Sequence, residues 1–487
     1  MNIVEKLLNL ENESRLLEPD LNSRLHLQKE VMKYSNDFIN EIETIKAYVV
    51  SESKGKAIYD TPIGEPKPIE ELLEVIRKNV DSPGLNPASG GHLGYIPGGG
   101  IFPSALGDYL ADVFNRYAGM FFGSPGAVRM ENQLLRWLCD MMGYSEKAAG
   151  NLSSGGSIAN QIALCTARDT RNLKAAQVEN SVIYTTAHVH HCVQKAINMV
   201  GLKEAVKRIV PMDDQFRMKV SVLAEMIEQD RQKGLNPFMV IASAGTTDVG
   251  AVDPLKEISE ICNSNDIWFH VDAAYGGFFI LAEETRHLFE GIQNADSIVI
   301  DPHKGMFLPY GTGAVLVKDG QKLFESQHLT ASYLQDAYLD VEEVSPADLS
   351  PELTKHFRGL RFWLPLQLFG VKPFVAALSE KIWLCRYFYE EIKKLGFEVG
   401  PFPQLSVMTY RYIPEGQDVN EFNLKLVEAV KNDGSVFLSS TKIEGLVFLR
   451  IAILSFRTHL STIDLCLKIL KEKVNELQNI TKNRTLC

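Results

Sequence analysis

Ser297-Ile298-Val299-Ile300-Asp301-Pro302-His303-Lys304 joins an apolar run to a short polar cluster that ends in a lysine. Upstream, the run Ile267-Trp268-Phe269-His270-Val271 ends on a carboxylate, Asp272, followed by Ala273-Ala274-Tyr275. A lysine held where a buried strand opens onto a crevice, with a carboxylate at the end of another strand, suggests an amine that makes a Schiff base. The cofactor this implies is pyridoxal phosphate. Taken singly, Lys304 reads as a solvated lysine and Asp272 as a helix cap, because buried lysines are rare without a task. Together they favour the cofactor.

The same kind of apolar run recurs from about 151 to 317, at 182–184, 238–242, 267–271, 297–300 and 314–317, with helical stretches between. Short runs without alternation, separated by helices, predict an α/β fold with a mostly parallel sheet buried on both faces. Ligands of such a sheet bind beyond the carboxyl ends of its strands. Before it, residues 1–80 show Val31, Tyr34, Phe38, Ile39, Ile42 and Ile45 at helix spacing. The stretch 87–100 is too rich in glycine and proline for a helix or central strand. After it, strand candidates at 405–412 and 446–451 lie among helices. The expected organisation is an N-terminal helical arm and loop (1–95), a large α/β domain (96–370) and a smaller α+β domain (371–487).

A chain of 487 residues is long enough for two or three lobes and a buried cofactor. Its net charge of −11, with no sustained Lys/Arg run, argues against a nucleic-acid partner. The start has no basic segment followed by an apolar stretch, and nowhere do about eighteen apolar residues run together. A cytoplasmic protein without membrane contact is expected. Seven cysteines, with no paired C-x-x-C spacing, read as reduced thiols rather than disulfides or a zinc site.

Ser153-Ser154-Gly155-Gly156-Ser157 precedes the helical run 158–164, which places free backbone N–H groups and a hydroxyl at a helix N-terminus. That suits a phosphate ester, although the same residues also make linkers and plain caps. His188, His190 and His191 follow the strand at Val182. No nearby carboxylate or cysteine completes a ligand set, so no metal is expected.

These separated motifs, in this order, resemble the group II pyridoxal-phosphate-dependent amino acid decarboxylases, which include the aromatic amino acid, histidine and glutamate enzymes. The resemblance runs from about 87 to 450. It implies a fold-type I enzyme in which Lys304 holds the cofactor and Asp272 faces the pyridine nitrogen, keeping it protonated. His190, with Val193, Lys195 and Ala196 keeping the frame, would stack on the ring. Ala274 would lie against it, Gly156 and Ser157 would hold the phosphate, and His303 would sit beside the lysine. Thr247 resembles a family threonine lining the pocket, though turn chemistry accounts for it equally well. His188 and His191 receive no role.

Tyr333 lies as far beyond the lysine as a family tyrosine whose phenol, on a mobile loop, protonates the substrate carbon after carbon dioxide leaves. The segment 353–358 resembles one that reaches the partner subunit's phosphate site, which implies a homodimer with shared active sites and gives Thr354 that contact. Tyr95, Ile96, Pro97 and Tyr117 would form an apolar wall, leaning toward an aromatic substrate. Gly98, where the aromatic decarboxylases carry a hydroxyl residue, leans the other way, as does Arg116 if it points inward to serve an acidic side chain. Two further departures from the family pattern are Ile158 in place of glutamate and Asp301 in place of asparagine. A carboxylate near a phosphate costs energy unless paired, so Asp301 is expected to bond backbone.

The resemblance therefore implies decarboxylation of an L-amino acid to the amine. An aldehyde synthase is a second possibility, but that subgroup typically has phenylalanine in place of the loop tyrosine or asparagine in place of the stacking histidine, whereas this chain has Tyr333 and His190. A catalytically inactive, cofactor-holding interaction protein is a third, against which the retention of Lys304, Asp272, His190 and Tyr333 argues.

Overall fold

The unbroken apolar runs become strands buried on both faces. A computed structural model describes residues 2–329 and 342–485. Its strands, in chain order, are β1 (Tyr48–Val49), β2 (Gly84–Leu85), β3 (Ala149–Ser153), β4 (Ser181–Thr185), β5 (Val206–Ile209), β6 (Asn236–Ser243), β7 (Trp268–Asp272), β8 (Ser297–Ile300), β9 (Gly313–Val317), β10 (Phe397–Val399), β11 (Val407–Tyr412), β12 (Ser439–Ile443) and β13 (Leu446–Ala452).

Among the described residues, β3-β9-β8-β7-β6-β4-β5 form one sheet. Strands β8, β7, β6, β4 and β5 pair in parallel, whereas β9 runs antiparallel to both β8 and β3. Every residue of β4, β7, β8 and β9 is buried. Apolar side chains cover both faces. One cluster includes Tyr184, Phe269 and Ile298, and the other includes Ile183, Trp268 and Val299. A second, antiparallel sheet has the order β10-β11-β13-β12. This is the architecture of fold-type I pyridoxal-phosphate enzymes, as expected.

The arm differs from a continuous helical pattern. Helices Ile3–Ser14, Leu21–Glu41 and Ile69–Ile76 form, but β1 interrupts them and pairs antiparallel with β2. The glycine-rich stretch after β2 is a loop stitched to the second sheet: Leu93 N donates to Phe437 O, and Phe437 N donates to Gly91 O. Strand β3, Ala-Gly-Asn-Leu-Ser, escaped the sequence pattern because it carries no β-branched residue. Strand β5 escaped because it alternates at the sheet edge.

One buried ion pair fixes the approach to the helix Arg358–Phe369. Lys355 Nζ donates to Glu131 Oε1 at 2.7 Å, Asn151 Oδ1 at 3.2 Å and Leu152 O at 2.9 Å. Both side chains are fully buried. Replacing one partner leaves a charge in a medium that solvates it poorly, so Lys355→Met is expected to cost about 3–5 kcal/mol. Urea unfolding checks this. The double variant Glu131→Leu/Lys355→Met is expected to recover most of the loss.

Candidate active site

The carboxyl ends of the parallel strands converge on one cavity of about 390 Å³. His188 and His190 follow β4, Thr246 and Thr247 follow β6, Asp272 ends β7, and Asp301 to Lys304 follow β8. The turn after β3 brings Gly156 and Ser157 to the same space, at the start of the helix Gly156–Thr170. Of the residues singled out from sequence, Lys304, Asp272, His190, Gly156, Ser157, Thr247, Ala274 and His303 all line this cavity.

Lys304 Nζ lies 3.1 Å from Asp301 Oδ2. Burial drags the Lys304 pKa down, but Asp301 and Asp272 outweigh it, and the net shift is upward. Asp301 is 1% exposed, and its Oδ1 has no hydrogen-bond partner. The expected backbone bond is therefore not what holds it: Lys304, three residues further along the same turn, does. Its carboxylate is wedged between two glycines. A Cβ on Gly156 would stand 2.9 Å from Oδ2, and one on Gly313 would stand 2.6 Å from Oδ1.

Two of the three cavity histidines are held in opposite tautomers. His190 caps the helix His191–Met199, its Nδ1 accepting from Cys192 N at 3.3 Å, which leaves the ring hydrogen on Nε2. His303 Nδ1 lies 2.6 Å from Thr312 O, a group that can only accept, so its hydrogen is on Nδ1 and its Nε2 carries a lone pair. Burial lowers both pKa values, against the pull of Asp272 on His190 and of Asp301 on His303. Arg361 braces the loop before β9 that receives His303, donating to Tyr310 O at 2.9 Å and pairing with Asp108. Asp272 Oδ1 accepts from Ala274 N at 3.1 Å. Cys192, which sequence reading passed over, lines the cavity, but burial pushes its thiol up to about 12, so it is no nucleophile at neutral pH.

Other expected site residues lie elsewhere in the single chain. Tyr95 is exposed, with φ 51° and its ring 5.6 Å from Phe437. Pro97 is buried in the same loop, Tyr117 is half-buried, and Thr354 is exposed. Tyr333 lies outside the described residues. Gly98 presses on the lysine turn so closely that any Cβ there would overlap His303 O, which explains the missing hydroxyl residue. Arg116 is exposed and reaches Ser124 Oγ at 3.4 Å. His188 lines the cavity with Nδ1 buried and without a partner, its ring 5.5 Å from Phe216. Arg450 ties the cavity wall to its surroundings, donating to Thr247 O at 2.7 Å, Tyr95 O at 2.8 Å and Ser439 Oγ at 3.1 Å.

The pyridoxal-dependent decarboxylase conserved domain matches residues 58–413. The chain belongs to the pyridoxal-dependent decarboxylase family. An aromatic-L-amino-acid decarboxylase of Bacillus atrophaeus is 34% identical over 431 residues, 86% of this chain and 89% of that one. A phenylacetaldehyde synthase of Petunia hybrida is 27% identical over 91% of this chain and 92% of its own length. In fold, a crystal structure of Oryza sativa TDC with PLP and tryptamine superposes with a TM-score of 0.87 at 22% identity, over 95% of this chain and 99% of that one. Family membership makes the protein a carboxy-lyase with pyridoxal phosphate as cofactor.

The cavity fits that cofactor. It holds an amine, a carboxylate, an imidazole and the N-terminus of a 15-residue helix whose first N–H groups have no intrahelical acceptor. Borohydride reduction followed by peptide mass mapping is expected to place a pyridoxyl group on Lys304. A pyridoxyl group on another lysine would overturn the assignment.

Proposed function

We propose that the protein decarboxylates an aromatic L-amino acid to the amine and carbon dioxide. The observation that carries the reading is the meeting of Lys304, Asp272 and His190 in one cavity, in a chain 34% identical to an aromatic-L-amino-acid decarboxylase. Arg116, the cation suited to an acidic side chain, engages Ser124 instead, which supports an aromatic substrate over an acidic one.

Pyridoxal phosphate, when bound, supplies the sink for the electron pair left by the departing carboxylate. Gly156 and Ser157 hold its phosphate with backbone N–H groups. Asp272 keeps a proton on the pyridine nitrogen, and His190 covers the ring. Lys304 gives up a proton before it acts as a nucleophile, and Asp301 Oδ2 is its neighbouring acceptor at 3.1 Å. Tyr333 returns a proton to the substrate carbon. Carbon dioxide release from a panel of amino acids tests the substrate: release from aromatic amino acids and none from glutamate is expected, and the reverse would overturn the aromatic reading.

An aldehyde synthase remains the second reading, since a relative carries that name. Tyr333→Phe separates the two. If the phenol protonates the carbon, amine output falls by roughly two to four powers of ten while aldehyde and peroxide appear. A Phe variant that makes amine at the wild-type rate without consuming oxygen would remove Tyr333 from the chemistry.

The working form in this reading is a cytosolic homodimer with shared sites. Helices Ile3–Ser14 and Leu21–Glu41 bury none of their residues in one chain, leaving Leu7, Leu8, Leu21 and Leu25 more than half exposed. Thr354 is likewise free to face a partner. Free thiols at the six described cysteines suit a reducing compartment. Sedimentation of the loaded protein is expected to show a dimer; an active monomer would contradict it.

A further inference from the structure

Behind the cavity wall lies a buried histidine that the chemistry above does not use. His270 stands on β7 two residues before Asp272, so the two side chains leave the strand on the same face, as does Trp268. The helix Gly156–Thr170 meets this face. His270 Nε2 lies 2.9 Å from Asn160 Oδ1, and Asn160 Nδ2 donates at 2.9 Å to Gly156 O, in the first turn of the helix. On the other side, His270 Nδ1 lies 2.8 Å from Ser297 Oγ, directly across from it on β8, and Trp268 Nε1 donates to the same oxygen at 3.0 Å. His270, Asn160 and Ser297 are all fully buried.

Hydrogen-bond chemistry permits one arrangement of this chain. Gly156 O can only accept, so the Asn160 amide nitrogen points to it and Asn160 Oδ1 turns to His270. That oxygen also can only accept, so the His270 hydrogen is on Nε2. Nδ1 then accepts from the Ser297 hydroxyl, whose oxygen in turn takes the Trp268 indole N–H, a group that can only donate. The series runs in one direction throughout, and the second Asn160 Nδ2 hydrogen goes to Cys192 Sγ at 3.7 Å. Burial also pushes the His270 pKa down to about 4, against the pull of Asp272.

We propose that His270 is a positioning residue for the cofactor pocket, relaying this one-way chain from β8 to Gly156 O and so setting the phosphate turn against Asp272. The proposal rests on the reading of Gly156 and Ser157 as that turn. The turn has no slack to find its own place: a Cβ on Gly156 would meet Asp301 Oδ2 at 2.9 Å and Ala274 Cβ at 3.3 Å. Apolar residues would fill the space between sheet and helix as well, but they would not fix one rotation of the 156–157 peptide. A fully satisfied polar series does. The strand that carries the pyridine's carboxylate and the helix that carries the phosphate's donors are thereby held at one separation.

The test uses the full-length protein. With histidine labelled by nitrogen-15 and the ring assigned by comparison with His270→Gln, magnetic resonance is expected to show the Nε2–H tautomer at His270. Ser297→Ala removes the hydroxyl and leaves buried groups unpaired, so the dissociation constant for pyridoxal phosphate, read by tryptophan fluorescence, is expected to rise about tenfold. The phosphorus-31 resonance of the bound phosphate is expected to shift with it. Ser297→Thr, which restores the hydroxyl, should return both to wild type; Ser297→Cys, a weaker donor of similar size, replaces the alanine variant if that does not fold. An Nδ1–H tautomer overturns the proposal. So does a variant that melts earlier yet keeps the wild-type dissociation constant and phosphorus resonance, because His270 would then serve the fold alone. Failure of the wild-type protein to bind pyridoxal phosphate would instead strike the reading of the phosphate turn.

Discussion

A lysine ammonium drawn largely out of water is stabilised by carboxylates close by, and in this protein two are arranged around Lys304. Asp301 contacts it directly, while Asp272 acts from the end of the neighbouring strand. Much of the local architecture follows from accommodating these charges. Asp301 needs Gly156 and Gly313 beside it because any side chain there would strike its oxygens. The lysine turn needs Gly98 for the same reason at His303 O. Two glycines thus flank the Asp301 carboxylate, and a third meets the backbone of the lysine turn.

The histidines around that pair divide the work of supplying and accepting hydrogen bonds. His190 offers a hydrogen to the cavity through Nε2, whereas His303 offers a lone pair through its own Nε2. Each tautomer is set by a backbone partner, the Cys192 N–H in one case and the Thr312 carbonyl in the other. Arg361 secures the second of these partners by donating to Tyr310 O and to the Thr312 hydroxyl. The polarity of the cavity is therefore built into the main chain.

Strands β4, β6, β7, β8 and β9 were legible in the sequence because a strand covered on both faces must be apolar throughout. Of the eight cavity residues named from sequence, Lys304, Asp272, Gly156 and Ser157 were legible because each ends or follows such a strand or opens a helix, whereas His190, Ala274, Thr247 and His303 were named from the resemblance to the family. What was not legible depends on contacts between distant segments. Strand β3 has no β-branched residue, and only its pairing with β9 makes it a strand. The pairing of Asp301 with Lys304 depends on the turn between them, and Cys192 is brought to the cavity by a helix cap rather than by its own chemistry. Thr354, Tyr95, Pro97 and Tyr117 do not line the cavity of one chain, and a linear pattern carries no sign of which chain's site a residue would serve.

Strand β9, which reverses the direction of the sheet, stands between β3 and β8. The turn that follows β3 lines the cavity, yet β3 reaches the sheet only through β9, more than one hundred residues later in the chain. A strand cannot be docked by a neighbour that has not yet been synthesised. During synthesis, Ser153 and the turn after it must wait for Gly313, by which point β4 through β8 have all emerged. In the order of synthesis, the turn beside the cavity is thus the early part of the large sheet that gains its neighbour late.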